Sequence, residues 1–161
     1  MSTVRKRIQD LGLTLPTSPS PVATYVPSTM CSNLLLTSGQ IPMIDGVLQY
    51  KGSVPHDQPI EAAIKAAELC GLNTLAVASA ALGGNLERIV GVVQLRVYVA
   101  SNQGFTDQSL IANGVSDMMV AIFGEAGRHV RVAIGSIGLP LGATVEVEAS
   151  FEISCVSSLI W

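Results

Sequence analysis

Arg131 is the first residue of this chain whose type and surroundings ask for a chemical explanation. It lies in the tract VRVAIG, residues 130–135, where every neighbour is apolar or small. Strand side chains alternate faces, so Arg131 shares a side with Ala133 and Gly135, and Val130, Val132 and Ile134 take the other. A planar guanidinium in such a setting can grip a carboxylate through two parallel hydrogen bonds, which a lysine cannot copy. Fifteen residues further on, Glu146, Glu148, Ser150 and Glu152 alternate with Val145, Val147, Ala149, Phe151 and Ile153. Taken alone, Arg131 and Glu146 fit a buried ion pair or an interface salt bridge more readily than a ligand site, because such pairs are common.

Other constellations carry less. His56 reads as a loop residue and His129 as an edge or surface residue. With no H-x-x-x-H and with Cys31, Cys70 and Cys155 far apart, no metal site is expected. No G-x-S-x-G elbow supports a Ser-His-Asp triad. The tract GSIGLPLG, residues 135–142, lacks the lysine and following helix of a phosphate loop.

The elements that must hold Arg131 and Glu146 follow from periodicity. Residues 131–153 read as two strands joined by a short turn at Gly138–Gly142, a hairpin with its charges on one side. Residues 3–12 suit a short helix with Val4, Ile8 and Leu11 on one face, followed by an extended linker over 13–22 containing Pro16, Pro19 and Pro21. Strands are expected at Ala23–Ser28, Asn33–Ser38 and Val47–Tyr50, the last after an Asp45-Gly46 turn. Asp57 is a candidate N-cap for a helix on which Ile60, Ala63, Ile64, Ala67, Cys70 and Gly71 begin the inward face, ended by Gly83-Gly84. A second helix spans Asp107–Phe123 with Ile111, Val115, Met118 and Ile122 inward.

Between those helices, residues 86–100 form the longest strand candidate. Ile89, Val93, Leu95, Val97 and Val99 fall on one face, and Val90, Val92, Gln94, Arg96 and Tyr98 on the other. Both faces carry apolar residues, so both should be covered, and one layer of helices covers only one. A symmetric copy of the same sheet is the simplest cover for the second. The order is β-β-β-α-β-α-β-β, an α+β chain.

Composition agrees. At 161 residues one domain is expected, with only 13% charged residues against about 25% in an average soluble domain. Mean hydropathy is +0.48, yet no apolar run is long enough to span a membrane. A surface so poor in charge points to a homo-oligomer. A net charge of −3 with nine Lys plus Arg argues against a nucleic-acid groove. Three cysteines without C-x-x-C fit free thiols in a reducing compartment, and the N-terminus is too broken by charge for a signal peptide, so the cytoplasm is the expected location.

With the elements in order, the tract Thr37-Ser38-Gly39-Gln40-Ile41-Pro42, and Arg131 followed by Leu139-Pro140 and Val145-Glu146-Val147-Glu148, resemble the RidA/YjgF family over roughly 23–153. Its members are reactive-intermediate deaminases, some of them called endoribonuclease L-PSP or translation inhibitors. The resemblance implies a chorismate-mutase-like fold of the bacillar type, a sheet backed by two helices, assembled as a homotrimer with clefts between subunits. Residues 1–22 would precede the family domain as a short helix and linker, and 23–161 would form it.

The resemblance also implies roles. Arg131 falls on the carboxylate-binding arginine and Glu146 on the acid that holds a water. Tyr25 matches an aromatic that closes the cleft, and Ser38 and Gly39 match the loop that contacts substrate. Ala133 stands in the cleft where many members carry a cysteine, and Asn113 is one residue off the position of a helix asparagine. The implied reaction is hydrolysis of an enamine or imine, such as 2-iminopropanoate, to a 2-keto acid and ammonia, with no metal or organic cofactor. The ligand would be a small carboxylate-bearing imine or keto acid, with neither nucleic acid nor membrane as partner. A non-catalytic trimer that binds small carboxylates is the alternative, and ribonuclease activity is a weaker third.

Overall fold

The unbroken alternation at the end of the chain sets the centre of the molecule. In the computed structural model, which describes residues 3–18 and 24–154, strand β7 (Val145–Ile153) buries Val145, Val147, Ala149, Phe151 and Ile153 and turns Glu146, Glu148, Ser150 and Glu152 the other way. Phe151 is fully buried, which alone stabilises by about 1.5–3 kcal/mol. The other elements are α1 (Val4–Asp10), β1 (Ser28–Cys31), β2 (Leu34–Thr37), β3 (Met43–Ile44), β4 (Val47–Leu48), α2 (Ile60–Ala81), β5 (Ile89–Ala100), α3 (Gln108–Phe123) and β6 (Val130–Ser136). One five-stranded sheet runs β1-β2-β7-β5-β6, and β3 and β4 form a separate ribbon. Every pairing in the sheet is antiparallel except β5 with β6.

That order corrects the expected hairpin. Strands β6 and β7 do not pair; β5 runs between them. The cause is the α3 crossover, which returns the chain parallel to β5 and leaves β6 on the sheet edge. The loop after β6 then carries the chain across to the far side of β5, where β7 pairs antiparallel.

Helices α2 and α3 cover one face of the sheet. Their inward faces match the spacing, with Ala63, Ala67 and Cys70 on α2 and Ile111, Val115, Met118 and Ile122 on α3 all buried. Two glycines set how closely they approach each other. A Cβ on Gly71 would lie 2.6 Å from Val115, and one on Gly114 would lie 2.4 Å from the Ile64 carbonyl oxygen. The helices therefore meet backbone against side chain at Gly71 and backbone against backbone at Gly114. Helix α1 joins the same core through Val4 and Ile8, while Leu11 stays exposed. From α1, Arg7 Nη1 donates to the Ile122 carbonyl at 2.9 Å and Arg5 Nη2 to the Gly84 carbonyl at 3.1 Å. Both arginines thus meet free carbonyls where α3 and α2 end.

Four local expectations need correction. The first strand lies at 28–31 rather than 23–28, because Ser32 (φ 56°) and Asn33 form the tight turn between Cys31 and Leu34; Ala23 lies outside the described residues, as do Pro19, Pro21 and Cys155. A strand at Met43–Ile44 pairs with Val47–Leu48 across Asp45-Gly46, both at positive φ. Asp57 is no cap: its carboxylate accepts from the Ser53 N–H at 2.7 Å and the Ser53 hydroxyl at 2.9 Å, and the helix starts after Pro59. The Ser53 amide, with His56 beside it, holds the Asp57 carboxyl at about 2.

The fourth concerns β5. Its register to β7 slips between Ile89 and Gly91 and again between Val92 and Gln94. Val90 and Val93 are the extra residues of two bulges. Val92 consequently turns inward and is 4% exposed, while Val93 is 39% exposed, the reverse of a simple alternation. Beyond the second bulge Leu95, Val97 and Val99 are buried as the spacing requires. No helix among the described residues is long and apolar enough to cross a membrane.

Candidate functional site

Register decides which way Arg131 points. It sits opposite Leu95, a core residue, and Ala133 sits opposite Val97. Arg131 therefore lies on the helix side of the edge strand, over the N-terminal half of α3. There Nη1 donates to Asn113 Oδ1 at 2.9 Å and to Ser116 Oγ at 3.0 Å, and Nη2 donates to the Ser109 carbonyl at 3.3 Å. Ser109, Asn113 and Ser116 occupy one stripe of α3 at helical spacing. Three of five guanidinium protons are thus committed to neutral acceptors. Nε–H and one Nη2–H remain, and those nitrogens form one edge of the guanidinium, the edge a carboxylate can meet side-on.

Along the strand from Arg131 the residues become smaller, through Ala133 to Gly135. A Cβ on Gly135 would lie 2.6 Å from Ser101 Oγ and 2.9 Å from Gln108 Nε2. The strip beside Arg131 is polar on the α3 side and nearly flat on the β6 side. Asn113, expected only as a near match, is the residue that meets Arg131.

Glu146 is elsewhere. It pairs with Tyr98, which in turn sits opposite Ile134, so it lies on the sheet face that the helices leave uncovered. Burial pushes its carboxyl above the ordinary value, and Glu148 adds to the rise. Among the described residues no group donates a hydrogen bond to it. Its carboxylate rests on the Gly39 backbone, so closely that a Cβ there would come within 2.0 Å of Oε1. The Gly39 loop is held from both sides. Gln40 exchanges two backbone hydrogen bonds with Val147, and its Nε2 donates to the Ser38 and Gly39 carbonyls. Ser38 Oγ donates to the Val26 carbonyl at 2.7 Å, bringing the segment with Tyr25 to this loop; the Tyr25 side chain is 51% exposed.

The candidate residues therefore divide into two groups. Arg131, Ala133 and Asn113 belong to the β6–α3 side; Glu146, Ser38 and Gly39, with Tyr25 nearby, belong to the open side. Arg131 and Glu146 do not form an ion pair. The open face has one of its own between Arg96 and Glu148, directly opposite each other on β5 and β7. Ser109 and Ser116 are not among the residues expected at the site, although the stripe 109, 113, 116 lies opposite the apolar stripe 111, 115, 118, 122. His129, expected at an edge or the surface, does precede the edge strand β6, and its ring is partly buried against Ser116.

The YjgF/chorismate mutase-like, "putative endoribonuclease" family model matches residues 5–152. The chain belongs to this family. The match begins inside α1, so the N-terminal helix falls within the family's span. Protein TCP17 of Trypanosoma cruzi is 40% identical over 153 residues, covering 94% of each chain. A protein of unknown function from Agrobacterium tumefaciens is 43% identical with a TM-score of 0.89, covering 94% of this chain and 92% of its own. A Shewanella oneidensis protein that also carries the "putative endoribonuclease" label is 31% identical, with a TM-score of 0.90 and coverage of 94% and 99%. The mixed α+β fold, a sheet with helices on one face, is that of the YjgF family.

Proposed function

We propose that this YjgF-family chain hydrolyses small carboxylate-bearing enamines or imines, such as 2-iminopropanoate, to a 2-keto acid and ammonia at sites shared between subunits of a homotrimer. The observation that carries the reading is the arrangement around Arg131: three neutral acceptors orient the guanidinium and leave one edge for a carboxylate. Glu146 is the acid-base partner. Burial, with Glu148 adding, raises its carboxyl above the ordinary value, the direction that suits a group that must take a proton from water and return it to nitrogen. Glu146 takes a proton from the water that adds to the imine carbon and passes it to nitrogen, giving an amino alcohol. It then takes the hydroxyl proton and delivers it to nitrogen as the C–N bond breaks and the C=O forms, leaving the 2-keto acid and ammonia.

Because Arg131 and Glu146 of one chain sit on opposite faces of the sheet, they cannot meet on one small molecule. A second copy must supply one of them, with its open face toward the β6 edge of its neighbour. Such a head-to-tail contact closes into a ring when the rotation permits. Val93, Val132 and Ile134, all exposed, supply apolar surface for it. A non-catalytic carboxylate binder is the second reading, favoured by Ala133, which leaves the Arg131 strip without a thiol.

The test is ammonia release from freshly generated 2-iminopropanoate. Wild type should exceed buffer, and Arg131→Ala should lose on the order of 100-fold, as expected for two charge-assisted hydrogen bonds. Wild type no faster than buffer, yet stabilised by a keto acid, leaves only the binder. A stable monomer in sedimentation removes the shared catalytic site and leaves at most binding at Arg131.

A further inference from the structure

We infer that Ser116 and His129 are positioning residues for Arg131, and that the protonation state of His129 sets how strongly Arg131 holds an anion. The inference rests on Arg131 being a carboxylate anchor. His129 Nδ1 lies 2.6 Å from the Gly127 carbonyl oxygen, and Nε2 lies 3.0 Å from Ser116 Oγ. A carbonyl only accepts, so Nδ1 carries its proton, and in the neutral ring Nε2 must be the acceptor. Ser116 then donates to His129 while accepting from Arg131 Nη1 at 3.0 Å. The result is one directed chain: guanidinium to hydroxyl to imidazole to carbonyl.

Its far end is fixed. Gly127 packs so tightly against α3 that a Cβ would come 2.3 Å from the Met119 carbonyl oxygen. The turn bearing the Gly127 carbonyl therefore cannot move without moving α3. The ring is partly buried, and the charged groups on the elements packed around it are few. Glu125 and Arg128 pair with each other at 2.9 Å, Asp117 neighbours Ser116 on α3 with an exposed side chain, and Arg96, paired to Glu148, is on the other sheet face. Arg131 is the charge that His129 reaches through hydrogen bonds.

Histidine changes charge near neutral pH. When His129 gains a proton, Nε2–H donates to Ser116, whose own proton is released to turn elsewhere. A second positive charge then stands two hydrogen bonds from the guanidinium. Both changes favour an anion at the free edge of Arg131 and oppose an empty site. Affinity should rise as pH falls through the histidine range, by about threefold to tenfold for charges at this separation. By linkage, a bound anion must raise the His129 midpoint to the same extent.

Pyruvate, whose carboxylate stays ionised throughout, is the probe. The expected result is wild-type binding that tightens about threefold to tenfold between pH 8 and pH 5.5, a flat response in His129→Gln, and an unchanged response in a variant of the exposed loop histidine, His56→Gln. Proton NMR of the wild-type imidazoles needs no variant. Saturating pyruvate should raise the His129 midpoint by about 0.5–1 unit and leave His56, the only other histidine, unmoved. A flat wild type, a His129→Gln variant that retains the wild-type slope, or an unmoved His129 midpoint under saturation overturns the inference and leaves the anchor standing. Wild type that binds no pyruvate at any pH, or Arg131→Ala that binds equally well, overturns the anchor itself.

Discussion

The Arg131 region and the Glu146 region are built to different degrees of completion. Around Arg131 a single chain provides everything: three acceptors from one face of α3, a strand of diminishing side chains, and a histidine behind the serine. Around Glu146 the chain provides burial and a close backbone but no donor among the described residues. A half-buried carboxylate without donors is costly to ionise. In the proposed function the first region is a finished binding element, and the second is a reactive group whose surroundings another copy completes.

That contrast can be broken most sharply by Glu146→Gln. It should lower turnover of 2-iminopropanoate by about 100- to 10,000-fold, the usual worth of a general acid-base, while pyruvate binding in a calorimeter barely changes. Equal losses of binding and turnover would mean that the two regions are one element after all.

Gly39→Ala probes the close approach. With Oε1 of Glu146 only 2.0 Å from the added carbon, the loop or the carboxylate must shift, at a cost of about 1–3 kcal/mol. The expected outcome is a lower urea midpoint, with Arg131-dependent pyruvate binding retained. An unchanged midpoint would show that the Glu146 side chain swings away freely.

The smallest effect is on stability against pH. The Glu146 carboxyl is raised in the folded protein above its ordinary 4.5. The folded state then binds more protons than the unfolded one between the two values, so this residue's contribution worsens as pH rises through that window. Glu146→Gln should therefore gain on wild type in urea midpoint at pH 7 and lose that gain near pH 3, both read at one protein concentration. A gain that is greatest in acid would mean that the carboxylate is stabilised, not desolvated.

What the sequence revealed depended on what its patterns encode. The alternation in residues 145–153 and the 3.6-residue spacing of both long helices report which side chains share a face, and those faces are as read. Alternation says nothing about which strand lies beside which, so the intervening β5 was invisible and a hairpin was the economical guess. Nor does it register an extra residue: the bulges at Val90 and Val93 invert the apparent faces of Val92 and Val93. Arg131 stood out because a charge among valines is rare. Asn113 was legible only through family resemblance, and Ser109 and Ser116 only through a helical stripe that seemed merely polar. The His129 contact joins a turn to a helix thirteen residues away, and no local pattern carries such a contact.

The separation of Arg131 and Glu146 by the thickness of a sheet has a genetic meaning. In the proposed ring each reaction centre takes its anchor from one copy and its acid from another. A lesion in either region is then not a property of the polypeptide that carries it. Copies lacking the anchor and copies lacking the acid, each inert alone, restore whole centres when they share an assembly, about one in four under random mixing. Two defective alleles would complement each other within one gene, and the unit of inheritance would be smaller than the unit of activity.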